Sequence, residues 1–75
     1  MQVRVLHFGP LRERRGCAEE TVTVDGPVTL VDLYDQLFPQ PRPPVAYVRN
    51  AERVSGSTAV ADGDELTFLP PLGGG

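Results

Sequence analysis

Residues 62–75 read DGDELTFLPPLGGG. Asp62-Gly63-Asp64 is a turn, and it feeds an apolar strand from Glu65 to Leu69. In that strand Leu66 and Phe68 face one way, Thr67 and Leu69 the other. Pro70 and Pro71 then fix φ and withdraw from any ladder, so they project the rest of the chain stiffly away from the body. Leu72, Gly73, Gly74 and Gly75 complete the stretch. Glycine has no Cβ, so it can thread a narrow channel, although ordering it costs the most entropy. A glycine end is ordinarily only a frayed terminus. Here it comes directly after a strand and a Pro-Pro pair with no polar linker between. At about 3.3 Å per extended residue the four-residue tail reaches roughly 13 Å. That reach can carry the Gly75 α-carboxylate into another protein's active site with no side chain in the way. The expected organisation is a domain over residues 1–71 and a flexible tail over 72–75. The expected working group is the Gly75 carboxylate, with Gly74 as the thin residue beside it.

A last strand of this kind needs a neighbour. At the other end of the chain Val3 and Val5 alternate with Arg4, a strand signature. Leu6 and Phe8 add apolar positions on the face opposite Val3, Val5 and His7. A small sheet under one helical layer needs only one apolar face, so the second implies a surface that something else covers. Gly9-Pro10 ends this strand, and Leu11 to Arg15 can form one helical turn before Gly16. Glu20 to Val24 reads as a second strand, with Val22 and Val24 inward, and Asp25-Gly26-Pro27 as the turn that ends it.

Thr29 has the character of an N-cap, with Asp32 three residues on in a capping-box arrangement. Leu30, Leu33, Tyr34, Leu37 and Phe38 come after it at helical spacing, and Pro39 stops the helix. Gln40 to Pro44 is a stiff connector whose PxxP spacing lacks the aromatic or basic context of a polyproline ligand. Val45 to Val48 is a third strand. Arg49-Asn50-Ala51 is a tight turn with Asn50 tolerant of the left-handed region. Arg53 and Val54 form a short edge strand, and Ser55 to Thr58 a loop. The order is ββαβ(β)β around one main helix. The predicted class is α+β, a ubiquitin-like β-grasp in which a mixed sheet of four to five strands packs on that helix. The predicted core is Val3, Val5, Val22, Val24, Leu30, Leu33, Leu37, Val45, Tyr47, Leu66 and Phe68.

Seventy-five residues make one domain, and a chain this short buries only about 60% of its unfolded surface. The net charge of −3 comes without a basic run, which argues against nucleic acid as a partner. No apolar stretch approaches the roughly 18 residues of a membrane helix, and the opening MQVRVLHFGPLRERR has no separate apolar region with a cleavage site. One cysteine excludes an internal disulfide framework and fits a reducing, cytoplasmic setting. All seven basic residues are arginine.

Catalytic constellations are sparse. Asp62, Asp64 and Glu65 cluster, but a calcium loop needs about six oxygen ligands over about twelve residues with a closing bidentate Glu. The turn reading stands. His7 has no second His and no Cys close by in sequence to complete a zinc site, so it reads as a packed strand histidine. Cys17 comes after Arg14, Arg15 and Gly16, and the arginine charge can lower a thiol pKa. No base or resolving partner accompanies it, so it reads as an inert loop cysteine. The expectation is therefore no metal, no permanently bound cofactor and no catalysis by this chain alone.

The segments VRVLHFGPLRE, TLVDLYDQLF and DGDELTFLPP, with the Gly-Gly that ends the chain, resemble the MoaD branch of the MoaD/ThiS sulfur carriers, the small subunits of molybdopterin synthases. The resemblance spans nearly the whole chain and is most specific over Asp62 to Gly75. Its connector at Pro39 to Pro44 is more proline-rich than the family pattern. The resemblance implies that a ubiquitin-activating-like adenylyltransferase uses ATP to adenylate Gly75, and that a sulfur donor enzyme converts it to a thiocarboxylate. It also implies a synthase large subunit as partner, in a heterotetramer. There the sulfur passes to cyclic pyranopterin monophosphate and builds the molybdopterin dithiolene. Phe8 and Leu69, with Leu6 and Arg12, fall where the family contacts partners, and Pro70, Pro71, Leu72 and Gly73 lead into the channel. Two other readings remain open: a sulfur carrier for thiamine or cysteine, and a ubiquitin-like modifier or plain β-grasp interaction module. Phe68-Leu69-Pro70-Pro71 favours the molybdopterin branch, and the absence of lysine excludes lysine-linked chains of this protein on itself.

Overall fold

A computed structural model describes residues 1–70. Its elements are β1 (Gln2–Leu6), α1 (Gly9–Arg15), β2 (Glu19–Thr23), α2 (Leu30–Leu37), β3 (Ala46–Arg49), β4 (Glu52–Val54) and β5 (Glu65–Leu69). The five strands form one mixed sheet in the order β2-β1-β5-β3-β4. β5 lies parallel to β1, and every other pairing is antiparallel. The last strand thus sits in the middle of the sheet beside the first, as the sequence predicts for a β-grasp.

Strand alternation sets the two faces. Val3 and Val5 of β1 and Leu66 and Phe68 of β5 are buried toward α2. Tyr47 stands opposite Phe68 on β3, and their rings meet edge to face with centroids 6.0 Å apart. Tyr34 from α2 and Phe38 at its C-cap close the cluster on Phe68, at 5.0 and 6.4 Å, geometries that suit the ring quadrupoles.

α2 begins as its sequence dictates. Asp32 N–H donates to Thr29 Oγ1 at 3.2 Å, and Thr29 N–H donates to Asp32 Oδ2 at 3.1 Å. This reciprocal capping box satisfies two of the orphan donors of the first turn. The far end is closed by arginines. Arg42 donates to the Phe38 carbonyl at 3.1 Å, and Arg14 to those of Pro39 and Pro41 at 2.8 and 2.7 Å. Cations there also complement the helix dipole. The prolines of the connector are thereby tied to the body. Tyr34 Oη donates to the Pro43 carbonyl as well, so the carbonyls of Pro39, Pro41 and Pro43 are all bonded to side chains of the body.

Two expectations need correction. Gly9-Pro10 does not separate β1 from a single helical turn; the two residues open α1, which runs to Arg15. A proline in the first turn lacks an N–H that has no intrahelical partner anyway. Gly16 at φ +75° then closes the helix, donating to the Arg12 carbonyl at 2.8 Å. The core list also shifts. Leu11, Tyr34, Phe38 and Val60 are buried with the expected residues, while Val22, Leu37, Val45 and Tyr47 are only partly buried at its edge.

Candidate functional site: the outer sheet face

The face of the sheet turned away from α2 carries Gln2, Arg4 and Leu6 from β1, and Glu65, Thr67 and Leu69 from β5. Ladder register puts Leu6 opposite Thr67, Thr67 opposite Val48, and Leu69 opposite Ala46. An apolar band therefore crosses the three central strands at the end where β5 leaves the sheet. Phe8 keeps extended backbone (φ −132°, ψ 152°) as the N-cap of α1. Extending the β1–β5 register by two residues sets it level with Leu69. Phe8 is 49% exposed and Leu69 40%, while Leu6 is half-buried. The second apolar face expected from the sequence is present, with the parity predicted for Leu6, Phe8 and Leu69.

Polar residues rim this band. Arg4 pairs with Glu65 on one neighbouring strand and lies 3.8 Å from Glu19 on the other. Arg12, one turn into α1, is exposed and makes no side-chain hydrogen bond or ion pair among the described residues. Its backbone N–H donates to the Phe8 carbonyl at 3.3 Å. Pro70 is half-buried at the root of the tail. The expected roles of Pro71, Leu72, Gly73, Gly74 and Gly75 lie outside the described residues.

The acidic residues before β5 have structural employment. Asp64 is buried, accepting from Asn50 Nδ2 at 2.9 Å and from Ala61 N–H at 2.8 Å. Asn50 Oδ1 accepts from Glu65 N–H at 2.9 Å, and Asp62 takes Gln2 N–H at 2.7 Å. These bonds fix the start of β5 against the β3–β4 turn and β1, which agrees with the turn reading.

His7 requires a different account. It is 1% exposed, as a packed strand histidine should be, but the fold brings Cys17 of the α1–β2 loop beside it, a neighbour that sequence spacing does not show. His7 Nε2 is 2.7 Å from Glu20 Oε2, and Cys17 Sγ is 3.6 Å from the same oxygen. Arg15 grips Glu20 with two bonds of 2.7 Å. The Arg15 guanidinium first, then His7, holds the Glu20 carboxyl down at about 2. Desolvation first, then Glu20, pushes the Cys17 thiol up, despite Arg15. The cations before Cys17 therefore do not make it a thiolate: desolvation first, and then the Glu20 carboxylate, outweigh the Arg15 charge. The sequence missed this group because its members meet only through the β1–β2 pairing.

The ThiS family matches residues 5–75 of this chain. The molybdopterin synthase sulfur carrier subunit of Chlamydomonas reinhardtii is 32% identical, with all of both chains covered. The protein of the same description from Mycobacterium tuberculosis is 36% identical, covering all of this chain and 99% of the relative. Among solved structures, H. volcanii small archaeal modifier protein 1 superposes with a TM-score of 0.77 at 28% identity, over 95% of this chain and 98% of that one. A complex of subunits 1 and 2 of molybdopterin-converting factor from Helicobacter pylori contains a chain similar at 25% identity with a TM-score of 0.65, complete on both sides. On its β-grasp sheet, its exposed outer band and a match that runs to residue 75, the chain belongs to the ThiS family.

Proposed function

We propose that this chain is the sulfur-carrier subunit of a molybdopterin synthase. The observation that carries the reading is the full-length similarity to two proteins of that description. The exposed apolar band at the root of the tail supports it, since contiguous exposed apolar surface marks an interaction site. The converting-factor complex supports a larger subunit as the partner that covers this band.

In this reading Gly75 carries the chemistry and the fold delivers it. A carboxylate is a poor electrophile. Adenylation by an activating enzyme, with ATP as its co-substrate, converts Gly75 to an acyl adenylate whose AMP is a good leaving group. Attack by a persulfide sulfur on the carbonyl carbon expels AMP. A thiol then cleaves the resulting S–S bond, supplying the electron pair, and leaves a thiocarboxylate. That soft nucleophile enters the large subunit and attacks cyclic pyranopterin monophosphate, and two transfers build the dithiolene. The chain itself holds no cofactor in this scheme, and catalysis belongs to its partners. ATP-dependent activation suits a cytoplasmic setting. No helix among the described residues is long and apolar enough to cross a membrane.

The second reading is a ubiquitin-like modifier, favoured by the likeness to the small archaeal modifier protein. Intact-mass analysis after incubation with ATP, a sulfur donor and the activating enzyme tests the carrier reading. It predicts the increment of one oxygen-for-sulfur exchange, confined to the C-terminal peptide. Isopeptide conjugates in its place would support the modifier reading.

A further inference from the structure

Three potential ligand atoms of different kinds converge beside the α1–β2 loop: a His7 ring nitrogen, Cys17 Sγ and a Glu20 carboxylate oxygen, all within 4.8 Å of one another, with Nε2 the His7 nitrogen that faces Glu20. We propose that His7, Cys17 and Glu20 form a binding site for a thiophilic divalent cation of the zinc class. An imidazole, a thiolate and a carboxylate are the ligand types zinc prefers, and three protein ligands leave the fourth tetrahedral position to water. Two anionic ligands and a neutral imidazole also neutralise a dication.

The spacing is close to what such an ion requires. Ligand bonds of about 2.0 to 2.3 Å in a tetrahedron place donor atoms roughly 3.3 to 3.8 Å apart. Sγ and Oε2 already stand 3.6 Å apart, whereas Nε2 and Oε2, now 2.7 Å apart, must open by under about 1 Å. His7 is held by the end of β1, and Glu20 by β2, its side chain 22% exposed. Half-buried Cys17 sits in the loop, which gives an ion a way in.

The proton balance permits the binding. The Cys17 proton leaves to solvent. Coordination through Nε2 requires that nitrogen to be free of a proton, which the Nδ1–H tautomer provides. Among the described residues Nδ1 is buried with no hydrogen-bond partner, so no other bond breaks when it takes the proton. The lack of an acceptor there has a cost: outer partners of this kind are typically worth tenfold to 100-fold in metal affinity. Arg15 is the competitor. It donates through Nε to Oε2 and through Nη2 to Oε1. Coordination through Oε2 displaces the first bond and can retain the second.

The test is a cobalt(II) titration of the chelator-treated full-length chain, followed by competition with zinc. The expected result is one equivalent of cobalt with a thiolate-to-metal charge-transfer band, displaced by zinc. Arg15→Gln is expected to tighten binding several-fold by removing a cation from the site. Cys17→Ser and Glu20→Gln, each confirmed folded by circular dichroism, are expected to weaken it at least tenfold. Absence of the band in both the parent and Arg15→Gln overturns the proposal. So does a band whose affinity is unchanged in Glu20→Gln, which would mark binding by the thiol alone.

Discussion

Leu6 stands opposite Thr67 across the parallel β1–β5 pair, on the face turned away from the helix. That one register relation accounts for the position of the exposed apolar band. It buries Thr67 between Leu6 and Val48 and leaves Phe8 and Leu69 exposed at the end of the sheet where the tail begins.

Phe8→Asp is expected to weaken binding of the large subunit by about 2 kcal/mol or more, roughly 30-fold, since an aromatic at the centre of an interface is a typical hot spot. At 49% exposure Phe8 contributes little to the core, so the thermal midpoint should hardly move. Calorimetric titration beside a thermal melt checks both. A variant that unfolds while its folded fraction binds normally would place Phe8 in the core.

Asn50 and Ala51 form the two-residue β3–β4 turn with φ of +50° and +68°. A primed turn suits Asn at its first position, but the second calls for glycine. Ala51→Gly should therefore stabilise the chain by about 1 kcal/mol, the approximate cost of holding an L-residue in the left-handed region. Urea denaturation would show a higher midpoint with an unchanged slope.

Glu20 provides a pH prediction for the metal-free chain. Its folded pKa of about 2 lies below the ordinary glutamate value of 4.5. A depressed carboxylate stabilises the fold fully above its unfolded pKa, and that contribution is lost as pH falls from about 4.5 toward 2. The amount is on the order of 1–3 kcal/mol. Denaturation of the parent and Glu20→Gln between pH 2 and about pH 6 should give curves that converge at the acid end.

Much of the fold was legible because it rests on local signals. Thr29 and Asp32 announce the helix start, Pro39 its end, and the alternation through Leu66, Phe68 and Leu69 gives the parity of the central strand. Leu11 was missed because a seven-residue helix with one buried residue has no readable period. Tyr34 and Phe38 lie on the apolar stripe of the helix, but their burial depends on the connector folding back over them, which no local signal announces. The outer band was legible as an excess of apolar positions. The His7–Cys17–Glu20 group was not, since it exists only once two strands have paired.

Gly74→Val should slow both activation and sulfur transfer, because a β-branched side chain then stands beside the reacting carbon. A small misplacement of reacting atoms costs on the order of 100-fold in rate. Measuring the two steps separately, with a melt as control, decides the matter. Normal turnover at both enzymes would reduce the glycines to a leash.

The central claim is that the Gly75 carboxylate carries the sulfur. Its most direct test is molybdopterin formation by a reconstituted system supplied with the chain lacking Gly75, beside a thermal melt. The expected result is no product from a protein that melts with the parent. Product formed at the parental rate by the shortened chain would contradict it.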